Sequence, residues 1–137
     1  MKASPVLRLT GRAIRQGRAA GEALVSSRRI GFLGGVDPDS AIVVEPGHPL
    51  EGQCIAGRIL VFPGGKGSTV GSYTLLRLAD NGLAPAALLS AESDAIVAVG
   101  AILADIPMLD HLDICGFQSG DWVAVLGEQV EVWRGQE

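Results

Sequence analysis

Between Phe62 and Tyr73 the chain reads PGGKGSTVGS, and several kinds of chemistry meet there. Lys66 supplies an ammonium group. Ser68 and Thr69 carry hydroxyls, and the surrounding glycines allow close backbone approach. An apolar run from Arg58 to Phe62 precedes the loop, and "STVGSYTLLRLADNG" follows with helical spacing. A strand end running into a helix start gathers unpaired N–H groups at the positive end of the helix dipole. Such a place binds anions. A cation beside a helix N-terminus disfavours the helix itself, so Lys66 makes sense with an anion present. The same surroundings could stabilise a serine alkoxide, which turns a poor base into a usable one.

Two familiar nucleotide loops are excluded. A Walker loop needs Ser or Thr after Gly65–Lys66, and Gly67 stands there instead. A dinucleotide fingerprint starting at Gly65 needs glycine at position 70, which is valine. A plainer reading stays open: Ser68 or Thr69 caps the helix, and the glycines only make a tight turn. Gly71, at a cost of about 1 kcal/mol relative to alanine, suggests that something comes close to the first turn.

Other candidates are weaker. Gly34–Gly35 permits close backbone contact, and Asp37–Pro38–Asp39 is turn chemistry. His48 and His111 are the two histidines, and neither has the context of a catalytic triad with Ser68. Cys54 and Cys115 form no CxxC pair, cannot by themselves hold a zinc or a cluster, and are expected as buried, reduced thiols. No metal site is expected in this chain.

The positioning elements follow from the pattern. Val6–Ile14 and Arg18–Ser26 are expected as two strands around a turn at Gln16–Gly17. Residues 31–57 are loop-rich, punctuated by Pro38, Pro46 and Pro49. Arg58–Phe62, "PAALLS" and "IPML" are expected as strands separated by two helices, which makes a parallel βαβαβ centre. On the first helix Val70, Tyr73, Leu76 and Ala79 are expected along one side. "DWVAVLGEQVEVW" reads as a hairpin, with Trp122 and Trp133 covering its ends against the core. The 137 residues make a single domain the expectation, 1–137. The net charge of −4 and eleven scattered Lys and Arg argue against nucleic acid and a membrane surface. No apolar run has the length of a signal or a membrane span, so a cytoplasmic protein is expected.

"FLGGVDPDS", "IAGRILVFPGGKGSTVGSY", "NGLAPAAL" and "AVGAILADIPML", in this order, resemble the small subunit of the aconitase X family. The resemblance runs from about Gly11 to the end of the chain. It implies an α/β swivelling β/β/α domain: a mixed sheet or partly open barrel, with a βαβαβ centre and flanking antiparallel strands. It implies a separate large subunit carrying an iron–sulfur cluster, 4Fe-4S in type, whose iron would act as a Lewis acid. It further implies that Ser68 moves the proton. Around Ser68 the substrate contacts are expected from Lys66, Gly67, Thr69, Ser72, Gly34 and Gly35. Ordinary aconitases have Ser-Arg where this chain has Thr69-Val70, so contacts of that arginine must come from Lys66 or the large subunit. "FLGG" and "GKGSTVGSY" resemble the archaeal form, implying dehydration of mevalonate 5-phosphate to trans-anhydromevalonate 5-phosphate, with a small phosphorylated hydroxy acid as substrate. Two alternatives remain: a cis-3-hydroxy-L-proline dehydratase subunit, and a stand-alone module that binds a phosphorylated metabolite.

Overall fold

In a computed structural model, described for residues 4–67 and 70–134, eight strands build one mixed sheet. In chain order they are β1 (Leu7–Thr10), β2 (Arg12–Arg15), β3 (Arg18–Val25), β4 (Ile59–Phe62), β5 (Ala87–Ser90), β6 (Met108–Asp110), β7 (Trp122–Leu126) and β8 (Gln129–Trp133). Across the sheet they lie in the order β1-β8-β7-β3-β4-β5-β6-β2. Strands β3 to β6 run parallel, and the pairings on either side are antiparallel. Helix α2 (Gly71–Asp80) connects β4 to β5, and α3 (Ala95–Ala104) connects β5 to β6. The irregular turn α1 (Phe32–Gly35) is barely helical: Leu33 has ψ 117° and Gly34 has φ 80°. The βαβαβ centre and the terminal hairpin are as the hydrophobic pattern implies.

The N-terminal segment differs from expectation. Val6–Ile14 is two strands, broken at Gly11, and neither pairs with β3. β1 lies against β8 and β2 against β6. The cause is long-range packing. A Cβ on Gly11 would sit 2.8 Å from the Asp110 carbonyl oxygen and 2.9 Å from Leu112 Cδ2. The chain leaves one margin of the sheet and enters the other through this single residue. The sheet therefore curls until its margins meet, forming a nearly closed barrel.

Strand alternation separates two cores. Ile59, Val61, Ala87, Leu89 and Leu109 join Val123, Val125, Val130 and Val132 inside the curl. Leu60, Phe62, Leu88 and Met108 face the opposite way, onto Leu75 and Leu78 of α2 and Val97 and Ala101 of α3. Strands β4 and β5 are buried at every position, which is why they read as continuous apolar runs.

Three expectations are corrected. Helix α2 buries Gly71, Ser72, Thr74, Leu75 and Leu78, whereas Val70 and Tyr73 are 49% and 63% exposed. Its inner face is set by fit against α3, where small residues are needed. A Cβ on Gly100 of α3 would lie 3.2 Å from the Ser72 Cα. Trp122 is half exposed and sits opposite Trp133 across β7 and β8, so it does not close the core. Cys115 is exposed and Cys54 half-buried; both are free thiols. No helix among the described residues is long and apolar enough to cross a membrane.

Candidate functional site

The parallel strands β4, β5 and β6 send their carboxyl ends to one side of the sheet, where ligand sites of α/β sheets commonly form. The loop after β4 is anchored there by its backbone. Ile30 N–H donates to Gly64 O, and Lys66 N–H donates to Ile30 O, both at 3.1 Å. Asp94 ties the same loop to α3. Its Oδ1 accepts from Val97 N–H at 3.0 Å, capping the helix, while Oδ2 accepts from Gly65 N–H at 3.1 Å. Arg29 completes the frame, donating to Gly65 O at 3.3 Å and to Glu92 at 2.5 Å.

Two loop glycines have separate reasons. Gly67 has φ 95°, a conformation costly for any side chain. Gly65 is needed for space: a Cβ there would overlap Val97 Cγ2 and lie 2.7 Å from Asp94 Oδ2. Gly65→Ala is therefore expected to cost about 1–3 kcal/mol through overpacking and to displace the loop. A thermal unfolding curve read alongside activity checks this; an unchanged transition with full activity would show that the contact relaxes freely.

Lys66 is not solitary. Its Nζ donates to Glu45 Oε2 at 2.8 Å. That hydrogen bond holds the Glu45 carboxyl below its ordinary range, although burial pulls it the other way. The pair lies across the turn carrying Gly34 and Gly35. A Cβ on Gly35 would sit 3.5 Å from Glu45 Oε1. The structure thus brings Lys66, Gly67, Gly34 and Gly35 into one neighbourhood. Glu45 escapes sequence reading because it lies 21 residues before Lys66. The available signal is Lys66 itself, which lacks an acidic residue close by in sequence.

The remaining candidates lie elsewhere or are engaged. Ser68 and Thr69 lie outside the described residues. The described part of α2 starts at Gly71, with Val70 rather than Ser68 or Thr69 at the N-cap position. Ser72 faces α3 and donates to Ile96 O at 2.8 Å. Gly71 also serves packing, since a Cβ there would be 3.3 Å from Ile96 Cγ2 and 3.5 Å from Leu33 N. His48 is buried and structural: Nδ1 accepts from Leu50 N–H at 3.0 Å, leaving the Nε2 proton for Arg29 O at 3.1 Å. His111 is exposed, 4.0 Å from the Asp110 carboxylate. Asp37 builds the expected turn. It accepts from Asp39 N–H and then Ser40 Oγ, and these bonds hold its carboxyl below the usual range.

Among the described residues no three His, Cys, Asp or Glu side chains gather as a metal site. Cys54 sits in a bridge to Ile42, with its thiol on Ser40 O, and Cys115 sits in the turn after β6. These donors do not fit an iron–sulfur cluster, so no step of the chemistry is assigned to one on this chain.

The aconitase X swivel-domain model matches residues 8–132. The phosphomevalonate dehydratase small subunits of Methanococcoides burtonii and Pyrococcus furiosus are each 49% identical to this chain. The matches span 87% and 92% of this chain and 89% and 94% of those proteins. Among solved structures, the crystal structure of Thermococcus kodakaraensis aconitase X in its holo form superposes with a TM-score of 0.91 at 47% identity. That match covers 93% of this chain and 99% of the other. Sequence, fold and loop together place the chain in the aconitase X swivel-domain family.

Proposed function

We propose that this chain is the small subunit of a two-subunit hydro-lyase that dehydrates mevalonate 5-phosphate to trans-anhydromevalonate 5-phosphate. The carrying observation is the 49% identity to phosphomevalonate dehydratase small subunits over nearly the full length of both chains. The site supports the division of labour. The chain offers a cation and a serine at a strand-to-helix loop, but its described residues offer no metal ligand set. The large subunit supplies the iron–sulfur centre and the group that takes the departing hydroxide.

In this reading the Ser68 oxygen takes the proton from the carbon beside the substrate carboxylate. The hydroxyl leaves the neighbouring carbon, and the electron pair of the broken C–H bond forms the double bond. A serine oxygen serves as base only if its negative charge is stabilised. The N-terminus of α2 and the Lys66 ammonium are the sources of that stabilisation. Gly67, Thr69, Gly34 and Gly35 bound the substrate, and Ser72 supports the floor of the site through α3.

A partner is also supported by α3, AIVAVGAILA, which carries no polar side chain. Val99, Ile102 and Leu103 are about half exposed on its outer face, next to Tyr73. A helix that is apolar all round is ordinarily covered. Val99 and Leu103, together with Val70, Tyr73 and Ile96, line a groove on this face. We assign that face to the large subunit.

Coexpression with the large subunit, followed by assay on mevalonate 5-phosphate and on cis-3-hydroxy-L-proline, tests the reading. Dehydration of the phosphorylated acid is expected from the co-purified pair only. Turnover of hydroxyproline alone, or tight binding of mevalonate 5-phosphate by the single chain, would overturn it.

A further inference from the structure

We propose that Glu45 is a positioning residue for Lys66, holding the ammonium against the Gly31–Gly35 turn so that it is presented to the substrate's negative charge. The inference rests on the role proposed above for Lys66. Its own support is geometric. The lysine stem lies across Gly31, where a Cβ would be 3.4 Å from Lys66 Cγ and 3.7 Å from Cε. The stem ends at Glu45, with Nζ 2.8 Å from Oε2. Glycine at 31 and 35 leaves a flat track on which the pair can lie.

The carboxylate arrives on a fixed segment. Val44 N–H donates to Gly35 O at 2.9 Å, so Glu45 is delivered by backbone bonded to the same turn. His48 N–H donates to Glu45 O at 3.2 Å, and the His48 ring joins Leu50 N–H to Arg29 O. Arg29 directly precedes Ile30, whose carbonyl holds Lys66 N–H. Both ends of the lysine, main chain and ammonium, are therefore referred to one framework.

The physical consequence concerns freedom. A lysine side chain carries about 2 kcal/mol of rotamer entropy, which a free ammonium must lose when it meets an anion. Glu45 removes part of that freedom beforehand. An ammonium has three donors, and the described bond to Glu45 uses one of them. The Lys66 side chain is 42% exposed, against 22% for Glu45, so the ammonium remains reachable.

A double-mutant cycle on the assembled two-subunit enzyme tests this, with Glu45→Gln, Lys66→Met and both together. Glutamine keeps the shape and removes the charge. Glu45→Gln is expected to lower kcat/KM about fivefold, the scale of a partly exposed ion pair. In the Lys66→Met background the same change should have no further effect. Equal losses in both backgrounds would show that Glu45 acts elsewhere, and no loss in either would remove its role. A gain in kcat/KM would make Glu45 a competitor for the cation. Each of these outcomes overturns the proposal. The cycle is read on whichever acid the wild-type enzyme dehydrates, so failure of the phosphomevalonate reading is seen separately in the wild type.

Discussion

Ser68→Ala, assembled with the large subunit, is expected to lower dehydration by about 100- to 10,000-fold, the usual contribution of a positioned proton acceptor, while the complex still forms. The alternative role of Ser68 is local, as a residue that favours the start of α2. Loss of a single local hydrogen bond costs about 1 kcal/mol, enough to shift an unfolding curve but too little to abolish turnover. The two roles thus separate on two instruments. Steady-state turnover of the co-purified variant reads the first, and thermal unfolding of the chain reads the second. Near-normal turnover would sink the catalytic role whatever the unfolding curve shows. The size of the effect depends on neighbours of Ser68. Without a helix terminus and a cation to stabilise its charge, a serine oxygen in water has too little alkoxide character to compete as a base. The surroundings, more than the hydroxyl alone, are the reason to expect so large a loss.

The second large effect concerns stability. Asp110 is fully buried at the end of β6, and Arg12 grips it from β2 with bonds of 3.0 and 2.7 Å. Ser93 adds a third bond at 2.6 Å. Burial pushes the Asp110 carboxyl up, but the bonds from Arg12 and Ser93 and the Arg12 charge leave it below its ordinary value. A carboxyl held low adds stability above the ordinary carboxylate pKa, and that stability is lost as pH falls through its lowered folded value. Arg12→Met keeps most of the stem but leaves the buried Asp110 carboxylate without its cation, which lowers stability at neutral pH. In the variant burial dominates, so Asp110 should take up a proton more readily. The deficit against wild type should narrow as pH falls from the raised folded value in the variant towards the lowered folded value in the wild type. Denaturant unfolding at neutral and acid pH measures this. A deficit of the same size at both would mean that Asp110 is not the group left unpaired.

The centre of the fold is legible because its strands are buried on both faces, and continuous apolar runs such as Ile59–Phe62 betray that directly. The hairpin is legible for the opposite reason. β7 and β8 bury alternate residues around Gly127, a local pattern. What stays hidden depends on partners distant in sequence. Nothing local says that the first strand must break at Gly11, because the reason is the backbone of Asp110. The inner face of α2 misleads a hydrophobic count, since Ser72 is buried there through its bond to Ile96 O while Tyr73 stays outside. At the site, the loop and its cation follow from residue types and spacing. Glu45 does not, because only the folded turn at Gly31–Gly35 brings it to Lys66.

The seam at Gly11 also has a meaning in time. β1 and β2 precede the other six strands in the chain, yet their partners, β8 and β6, come late in the strand order. Leu7 pairs with Val132, and Arg12 meets Asp110, 98 residues further along. Neither early strand can be satisfied by its neighbours while synthesis proceeds. Pairings this distant slow folding, because the chain must close large loops before gaining any contact. β1 therefore waits for β8 and β2 for β6, so the ring can close only after β8 has been made.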